Sequence, residues 1–262
     1  MEIASVHNPR VKDWAQLLEK KHRTRQGKYI IEGVHLVQEA LEHGAMIECI
    51  AYDMDKGIPS ELGAYPRTAS TVEWIAVSAA VIAKCTDTVT PQAVFAVIRK
   101  DEKQVDELLV KPDSLVIVLD RLQDPGNVGT IIRSADAAGA DGVILGRGSA
   151  DVYNPKTIRS TMGSFFHLPV VEADLSEVLP AAKQAGVTLV STSLTAEHSC
   201  YSYDFKGSRW LVIGNEGSGV SDEVSRLVDD AVIIPSKGQA ESLNAAMAAT
   251  VLLFEAMRQR HF

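Results

Sequence analysis

Short apolar runs alternate with amphipathic stretches along most of this chain, and the period of each run predicts its element. In the N-terminal part the order is helix, strand, helix, strand. "NPRVKDWAQLLEKK" places Val11, Trp14, Leu17 and Leu18 at helical spacing, with Pro9 near its start. "KYIIEGVHLVQEALEHG" opens on a β-branched run, continues as a helix and stops at Gly44, a natural C-cap. "MIECIAYD" and "AVFAVIRK" read as strands. The stretch "RKDEKQVDELLVKPDS" is charged and carries Pro112, which fits a junction. It predicts an N-terminal domain over residues 1–106, a linker over 107–113 and a second domain over 114–262.

After the junction the alternation becomes regular. Strands are predicted at "LVIVLD", "GVIL", "FHLPVV", "VTLVST", "WLVIG" and "AVIIP". Helices fall between most of them, at "VGTIIRSADAAG", "NPKTIRSTMG", "SEVLPAAKQAG" and "SDEVSRLV", and "SLNAAMAATVLLFEAMRQR" closes the chain. Short apolar strands alternating with helices imply an α/β fold, a mostly parallel sheet covered on both faces. Such sheets bind ligands outside the carboxyl ends of their strands, so residues just after strands are the candidates.

Three clusters stand there. In "LDRLQDPGNVGTIIRSADAAGA" the strand ends at Asp120, and a turn with Pro125, Gly126, Asn127 and Gly129 leads into a helix. Arg133 is expected one turn into that helix, facing the mouth of the sheet with Asn127. An Asn here can be a plain turn-former, whereas an Arg early in a helix opposes the dipole, which favours a paired or functional role. In "WLVIGNEGSGVSDE" a glycine loop, Gly214 to Gly219, precedes Ser221, an expected N-cap. Its glycine order is wrong for the dinucleotide fingerprint and lacks the lysine of a P-loop. Glu216 within it suits a ligand offering hydroxyls, amines or a positive centre.

The third cluster is "VIIPSKGQAESLNAAMAATVLLFEAMRQR". A strand ends near Pro235 and a long helix is expected from about Ser242. Leu243, Met247, Val251, Phe254 and Met257 mark an expected core face, and Leu252 and Leu253 make another face apolar. A terminal helix apolar on two faces predicts a homodimer. N-capping accounts for Ser242, but not for Asn244, a poor helix former two positions on.

Composition changes this picture in three places. The net charge of −8 argues against a nonspecific nucleic-acid binder, yet "KKHRTRQGK" holds five Lys/Arg and no acid. With Arg10 and Lys12 it is either the footprint of a polyanion partner or a solvated turn between helices. The three cysteines, Cys49, Cys85 and Cys200, lack any metal-ligand spacing, so no metal is expected and they read as reduced thiols of a cytoplasmic protein. No apolar run is long enough for a membrane span, and the start has no secretory-signal pattern.

The three clusters, in this order, resemble the three motifs of the SpoU (TrmH-like) RNA ribose 2′-O-methyltransferases, the knotted SPOUT-type enzymes. "NVGTIIRSADAAG" resembles the first, "IGNEGSGVSDE" the second and "IIPSKGQAESLNAAMAATVLLFEAMRQR" the third. "RSTMGSFFHLPV" matches a further family pattern, and "YIIEGVHLVQEAL" is similar, more loosely, to the L30e-like substrate-binding domain often fused to these enzymes. The resemblance implies a deep trefoil knot near the C-terminus and S-adenosylmethionine as cofactor. It implies a catalytic set of Asn127, Arg133, Glu216, Ser242 and Asn244. It also implies a cofactor cradle of Ser193, Leu194, Gly214, Asn215, Glu216, Gly217, Ile234 and Leu243. With RNA as substrate, Arg10, Lys20, Lys21, Arg23, Arg25, Lys28 and Arg133 are expected to contact it. Ribosomal RNA, 23S in particular, is the expected substrate. A tRNA substrate and a noncatalytic RNA-binding module are the alternatives, and the glycine order disfavours a nicotinamide-dependent dehydrogenase.

Overall fold

The computed structural model describes residues 1–65, 72–101, 103–239 and 242–262. In chain order the elements begin with β1 (Glu2–Ile3), α1 (Pro9–Gln16), α2 (Lys20–Gln26), β2 (Lys28–Glu32), α3 (Val34–Glu42) and β3 (Ile47–Asp53). There follow β4 (Glu73–Val77), α4 (Ala79–Cys85), β5 (Val94–Arg99), α5 (Asp106–Leu109), β6 (Leu115–Leu119), α6 (Pro125–Ala137) and β7 (Gly142–Gly146). Next come α7 (Pro155–Thr161), β8 (Val170–Ala173), α8 (Leu175–Gln184), β9 (Thr188–Thr192) and β10 (His198–Ser199). The chain closes with β11 (Arg209–Ile213), α9 (Asp222–Ser225), β12 (Asp230–Ile233) and α10 (Ala245–His261).

One compact unit comprises Met1–Asp101 together with Asp151–Phe166. Its sheet has the order β1-β4-β3-β5-β2. Pairing is parallel for β1–β4 and β3–β4, and antiparallel where β5 joins β3 and β2. Alternate strand residues point to opposite faces, and each face has its own core. Val11 and Trp14 of α1 and Val81 and Ile82 of α4 pack with Ile30, Phe95 and Val97 on one face. Leu36, Val37 and Ala40 of α3 and Ile158 of α7 pack with Tyr29, Ile31 and Ala96 on the other.

The segment 151–166 is bound into this unit by side chains of several kinds. Tyr153 packs against Tyr29 with ring centroids 4.9 Å apart and ring planes tilted by 49°, and Phe165 meets both rings edge-on. Asn154 caps α7 through the amide of Lys156, with Pro155 in the first turn, where its missing N–H costs nothing. The chain therefore leaves this unit after Asp101, returns for residues 151–166 and leaves again. The expected division into 1–106 and 114–262 has no place for that return, since hydrophobic period carries no record of which sheet a helix covers.

The second unit comprises Glu102–Ala150 and His167–Phe262. Its sheet has the order β10-β12-β9-β11-β6-β7-β8, and all its pairings are parallel. Leu175 and Leu179 of α8 and Val224 of α9 cover one face, over Val116, Val118, Leu189 and Trp210. α6 and α10 pack against each other and on the strands β6, β7 and β11. Residues 107–113, expected as a linker, include the end of α5, whose Leu108 is buried in the same core as Val116. Arg260 anchors the end of α10 by donating to the carbonyl oxygens of Phe205, Asp113 and Gly207. No helix among the described residues is long and apolar enough to cross a membrane.

Candidate active site

Because the second sheet is parallel, the loops after its strands all leave from one end. There the side chains of three distant segments meet. Glu216, in the loop after β11, accepts hydrogen bonds on Oε1 from Asn127 Nδ2 and the Asp124 amide, both at 3.0 Å, and on Oε2 from the Gln123 amide at 3.2 Å. Asn127 Oδ1 accepts in turn from Asn244 Nδ2 at 3.0 Å. Asn244 Oδ1 accepts from the amides of Ala246 and Met247 and so caps α10. A continuous path Glu216–Asn127–Asn244 thus ties together the loop after β6, the loop after β11 and the start of the last helix. Burial alone would raise the Glu216 carboxyl, but the bonds from Asn127 and the Asp124 and Gln123 amides outweigh it and hold the group below the usual carboxylate range. Together the three donors favour the ionised form.

The glycine loop is folded by its own backbone. Asn215 and Gly219 exchange two amide–carbonyl bonds of 2.9 Å, and Asn215 Oδ1 accepts from the amides of Gly217 and Ser218. A Cβ on Gly214 would lie 2.1–2.4 Å from backbone atoms of Gly219 and Val220. Gly219 has φ +71°, a region glycine enters without a steric penalty. These two glycines serve the loop's closure on itself, not only a ligand's approach. Asp120, a buried carboxylate at the end of β6, accepts from the Ser221 amide at 2.7 Å and fixes where the loop ends. In the sequence Asp120 reads only as a strand terminus, and its one signal is an acid closing the apolar run "LVIVL". Ser221 caps α9 as expected.

Two helix starts differ from expectation. α6 begins at Pro125, with Asp124 as N-cap accepting from the Asn127 amide at 2.9 Å. Asn127 is therefore a helical residue whose side chain is committed to Glu216 and Asn244, not a turn-former. Arg133 is the ninth residue of α6 rather than one turn in, so the helix dipole does not oppose it. Its six-residue separation from Asn127 places the two about 120° apart around the helix. Arg133 is exposed and, among the described residues, has no hydrogen-bond or ion-pair partner. The carboxylate of Glu216 is bonded to Asn127, not to Arg133. α10 begins at Ala245 with Asn244 as its cap, while Ser242 and Leu243 precede the helix and are exposed.

Residues 114–254 of this chain, more than half of it, match the SpoU rRNA Methylase family, and residues 8–96 match the MRM3-like substrate binding domain. The chain belongs to the SpoU rRNA methylase family. Among its relatives is the 23S rRNA (guanosine(2553)-2′-O)-methyltransferase RlmP of Bacillus subtilis (strain 168), 38% identical over 97% of this chain and 98% of the relative. Another is the 23S rRNA (uridine(2479)-2′-O)-methyltransferase of Streptomyces viridochromogenes, 38% identical over 97% of this chain and 91% of that one. The structure is similar to the SpoU methyltransferase AviRb from Streptomyces viridochromogenes in complex with AdoMet. That similarity has a TM-score of 0.89 at 38% identity and covers 97% of this chain and 98% of the other.

In this SpoU family chain the candidate cofactor residues lie at the ends of three adjacent strands. β9 pairs with both β11 and β12, so Ser193, Gly214 and Ile234, which follow those strands, sit side by side. The Ser193 amide donates to Val232 O at 3.0 Å, which ties the loop after β9 to β12. Leu194 and Leu243 are exposed apolar side chains, 65% and 45% accessible. Asn215, Glu216 and Gly217 lie in the glycine loop already described. Sequence motifs placed these residues at one end of one sheet, and the structure does bring their segments there.

The N-terminal cations divide. Arg23 is not available to a phosphate: it is 2% exposed, with Nη2 2.6 Å from Asp151 Oδ2 and Nη1 donating to the carbonyls of Leu17 and Leu18. The basic run forms the helix α2, not a turn, and Arg23 is on its inner side. Lys28 is paired with Glu48 at 2.6 Å. Arg10 is paired with Glu73 at 2.7 Å and stacks over Trp14. Lys20, Lys21 and Arg25 remain on the exposed side of α2. The cysteines are buried and free, and burial pushes the thiols of Cys49 and Cys85 up to about 11 and about 12. Neither is a nucleophile at neutral pH.

Proposed function

We propose that this chain transfers a methyl group from S-adenosylmethionine to the 2′-hydroxyl of a ribose in 23S ribosomal RNA. The observation that carries the reading is the Glu216–Asn127–Asn244 path, which holds three loops in one arrangement at the carboxyl end of a parallel sheet. The loops fit the cofactor's chemistry: the glycine order is not that of a phosphate cradle, Glu216 is ionised, and Leu194 and Leu243 offer apolar surface to an adenosine. When bound, the cofactor supplies an activated methyl group on a sulfonium centre.

What the protein contributes is alignment and electrostatics. Placing the 2′-oxygen in line with the methyl group is worth roughly 7–11 kcal/mol when the geometry is fixed. Asn127 and Glu216 hold the loops that define that line, and Asn244, with Ser242 beside it, sets the start of α10 against them. A guanidinium is a fixed cation with a planar fork of donors, so the role of Arg133 is to bind the adjacent phosphate and stabilise the oxygen as it loses its proton. The proton leaves to a phosphate oxygen or water. In the N-terminal unit, an L30e-like substrate-binding domain, Lys20, Lys21 and Arg25 contact RNA phosphates.

The test uses unmodified 23S rRNA transcript, tRNA and methyl-labelled S-adenosylmethionine, followed by nuclease digestion and mass spectrometry. The expected product is one 2′-O-methylated nucleoside from the 23S transcript. Label on a base, on tRNA alone, or on neither RNA would overturn the reading.

A trefoil knot is part of the same proposal. Its support is the strand order: the chain goes from β9 out to β10, crosses to β11 on the far side of β9, then returns to lay β12 between β9 and β10. The three free, buried cysteines support a cytoplasmic location.

The proposal includes a homodimer formed by α10. The residues expected as that helix's core face are its outer face: Met247 is 63% and Phe254 41% exposed, continuing from Leu243. The buried side is Ala246, Ala249, Leu252, Leu253, Glu255 and Ala256. A second copy is the occupant that the stripe Leu243, Met247, Phe254 fits. Met247→Asp with Phe254→Asp is expected to convert a dimer to a monomer in sedimentation equilibrium, with circular dichroism unchanged.

A further inference from the structure

The residue that joins β6 to the site carries two features the mechanism above does not use. Arg121 has φ +56°, a left-handed conformation that strains every L side chain and that glycine would adopt freely. Its guanidinium makes no hydrogen bond among the described residues. The nearest carboxylate oxygens, on Asp120 and Glu223, are 3.8 and 3.9 Å away, and the side chain is 53% exposed. The stem lies across Gly148, whose added Cβ would be 3.4 Å from Arg121 Cγ. The carbonyl oxygen accepts from Asn215 Nδ2 at 2.9 Å, so the backbone of Arg121 is part of the glycine loop's frame. By contrast Arg147, after the neighbouring strand β7, is answered by Asp174 at 2.8 Å.

A strained arginine with free donors, fixed to the frame of the site, marks a ligand contact better than a structural one. Its planar fork matches a phosphate. We propose that Arg121 grips a phosphate of the RNA strand next to the acceptor ribose and so positions the substrate. This rests on the reading of the chain as an RNA ribose methyltransferase. The competing role is local: Arg121 as counter-charge to the buried Asp120. The two roles predict opposite results when the side chain is removed and the backbone strain is relieved at once.

Arg121→Gly and Arg121→Gln are compared with the unaltered chain on 23S rRNA transcript. Both are expected to raise KM for RNA about tenfold, with kcat at saturating RNA near that of the unaltered chain. The slope of log affinity against log salt is expected to fall by about 0.7–0.9, the loss of one phosphate contact. S-adenosylmethionine affinity stays unchanged in both, and Arg121→Gly melts at the same temperature or higher. Arg121→Gly with unaltered KM and salt slope would overturn the proposal. So would a parallel loss of cofactor affinity and melting temperature, the mark of the counter-charge role. If the unaltered chain methylates no RNA, the underlying reading fails instead.

Discussion

Arg133→Ala is expected to slow methyl transfer by about 10²–10³-fold while S-adenosylmethionine binds as before. That range is what the loss of one preorganised charge-stabilising group costs in an active site. The grounds are structural. Arg133 lies on the exposed side of α6 and has no partner among the described residues. Nothing in the fold depends on its charge, so removing it leaves α6 and the Glu216–Asn127–Asn244 path in place. Alanine is also a better helix former than arginine, and melting temperature should not drop. Single-turnover rates with saturating RNA, beside calorimetric titration of the cofactor, separate chemistry from binding. A rate within threefold of the unaltered chain would remove Arg133 from the mechanism. Arg133→Lys restores charge without the fork, and its rate is expected to fall between the two.

The second large effect is on stability. Arg23→Ala is expected to cost about 3–5 kcal/mol, because it leaves the buried Asp151 carboxylate without its counter-charge. It also strips the Leu17 and Leu18 carbonyls of the donors that serve them at the end of α1. In a unit of this size that corresponds to a fall of roughly 10 °C or more in its melting temperature. Arg23→Met combined with Asp151→Leu is expected to recover the part of the loss due to the uncompensated charge, since two apolar side chains carry no charge-desolvation penalty, but not the part due to the carbonyls of Leu17 and Leu18. Differential scanning calorimetry of the full chain reads both. A loss below about 1 kcal/mol for Arg23→Ala would mean that solvent reaches the pair.

The basic run at Lys20–Lys28 shows why charge counts misplace residues. Net charge has no direction, whereas a helix does, and α2 turns Arg23 inward while leaving Lys20, Lys21 and Arg25 outside. The last helix misled in a related way. Nearly every position of "AAMAATVLLFEAM" is apolar, so period alone cannot choose the buried stripe. The buried side of α10 is Ala246, Ala249, Leu252, Leu253, Glu255 and Ala256, and Met247 and Phe254 are left outside. The parallel sheet was legible because strands such as "LVIVL" and "WLVI" are buried on both faces and read as unbroken apolar runs. "EWIAVSAAVIAKC" hid β4 and α4, because strand and helix there are one continuous apolar run whose only division is the cap Ser78.

At the site, motif order located the segments but not their bonds. That Glu216 meets Asn127 rather than Arg133 depends on where α6 starts, and the cap at Asp124 moves that start three residues ahead of the periodic pattern. Inside a helix Asn244 would be out of place; as the N-cap of α10 its residue type needs no further explanation. Its free amide then does something a serine cap could not, by donating to Asn127.

The first unit is assembled from residues 1–101 and 151–166, and this orders events during synthesis. Arg23 emerges from the ribosome long before Asp151, and Tyr29 long before Tyr153 and Phe165. Until residue 166 is out, the unit holds an unanswered buried cation and an uncovered aromatic face. Its completion therefore waits for β6, α6 and β7 to be translated. The same interleaving limits recombination between relatives: a crossover between residues 101 and 151 would import one half of the Arg23–Asp151 pair without the other.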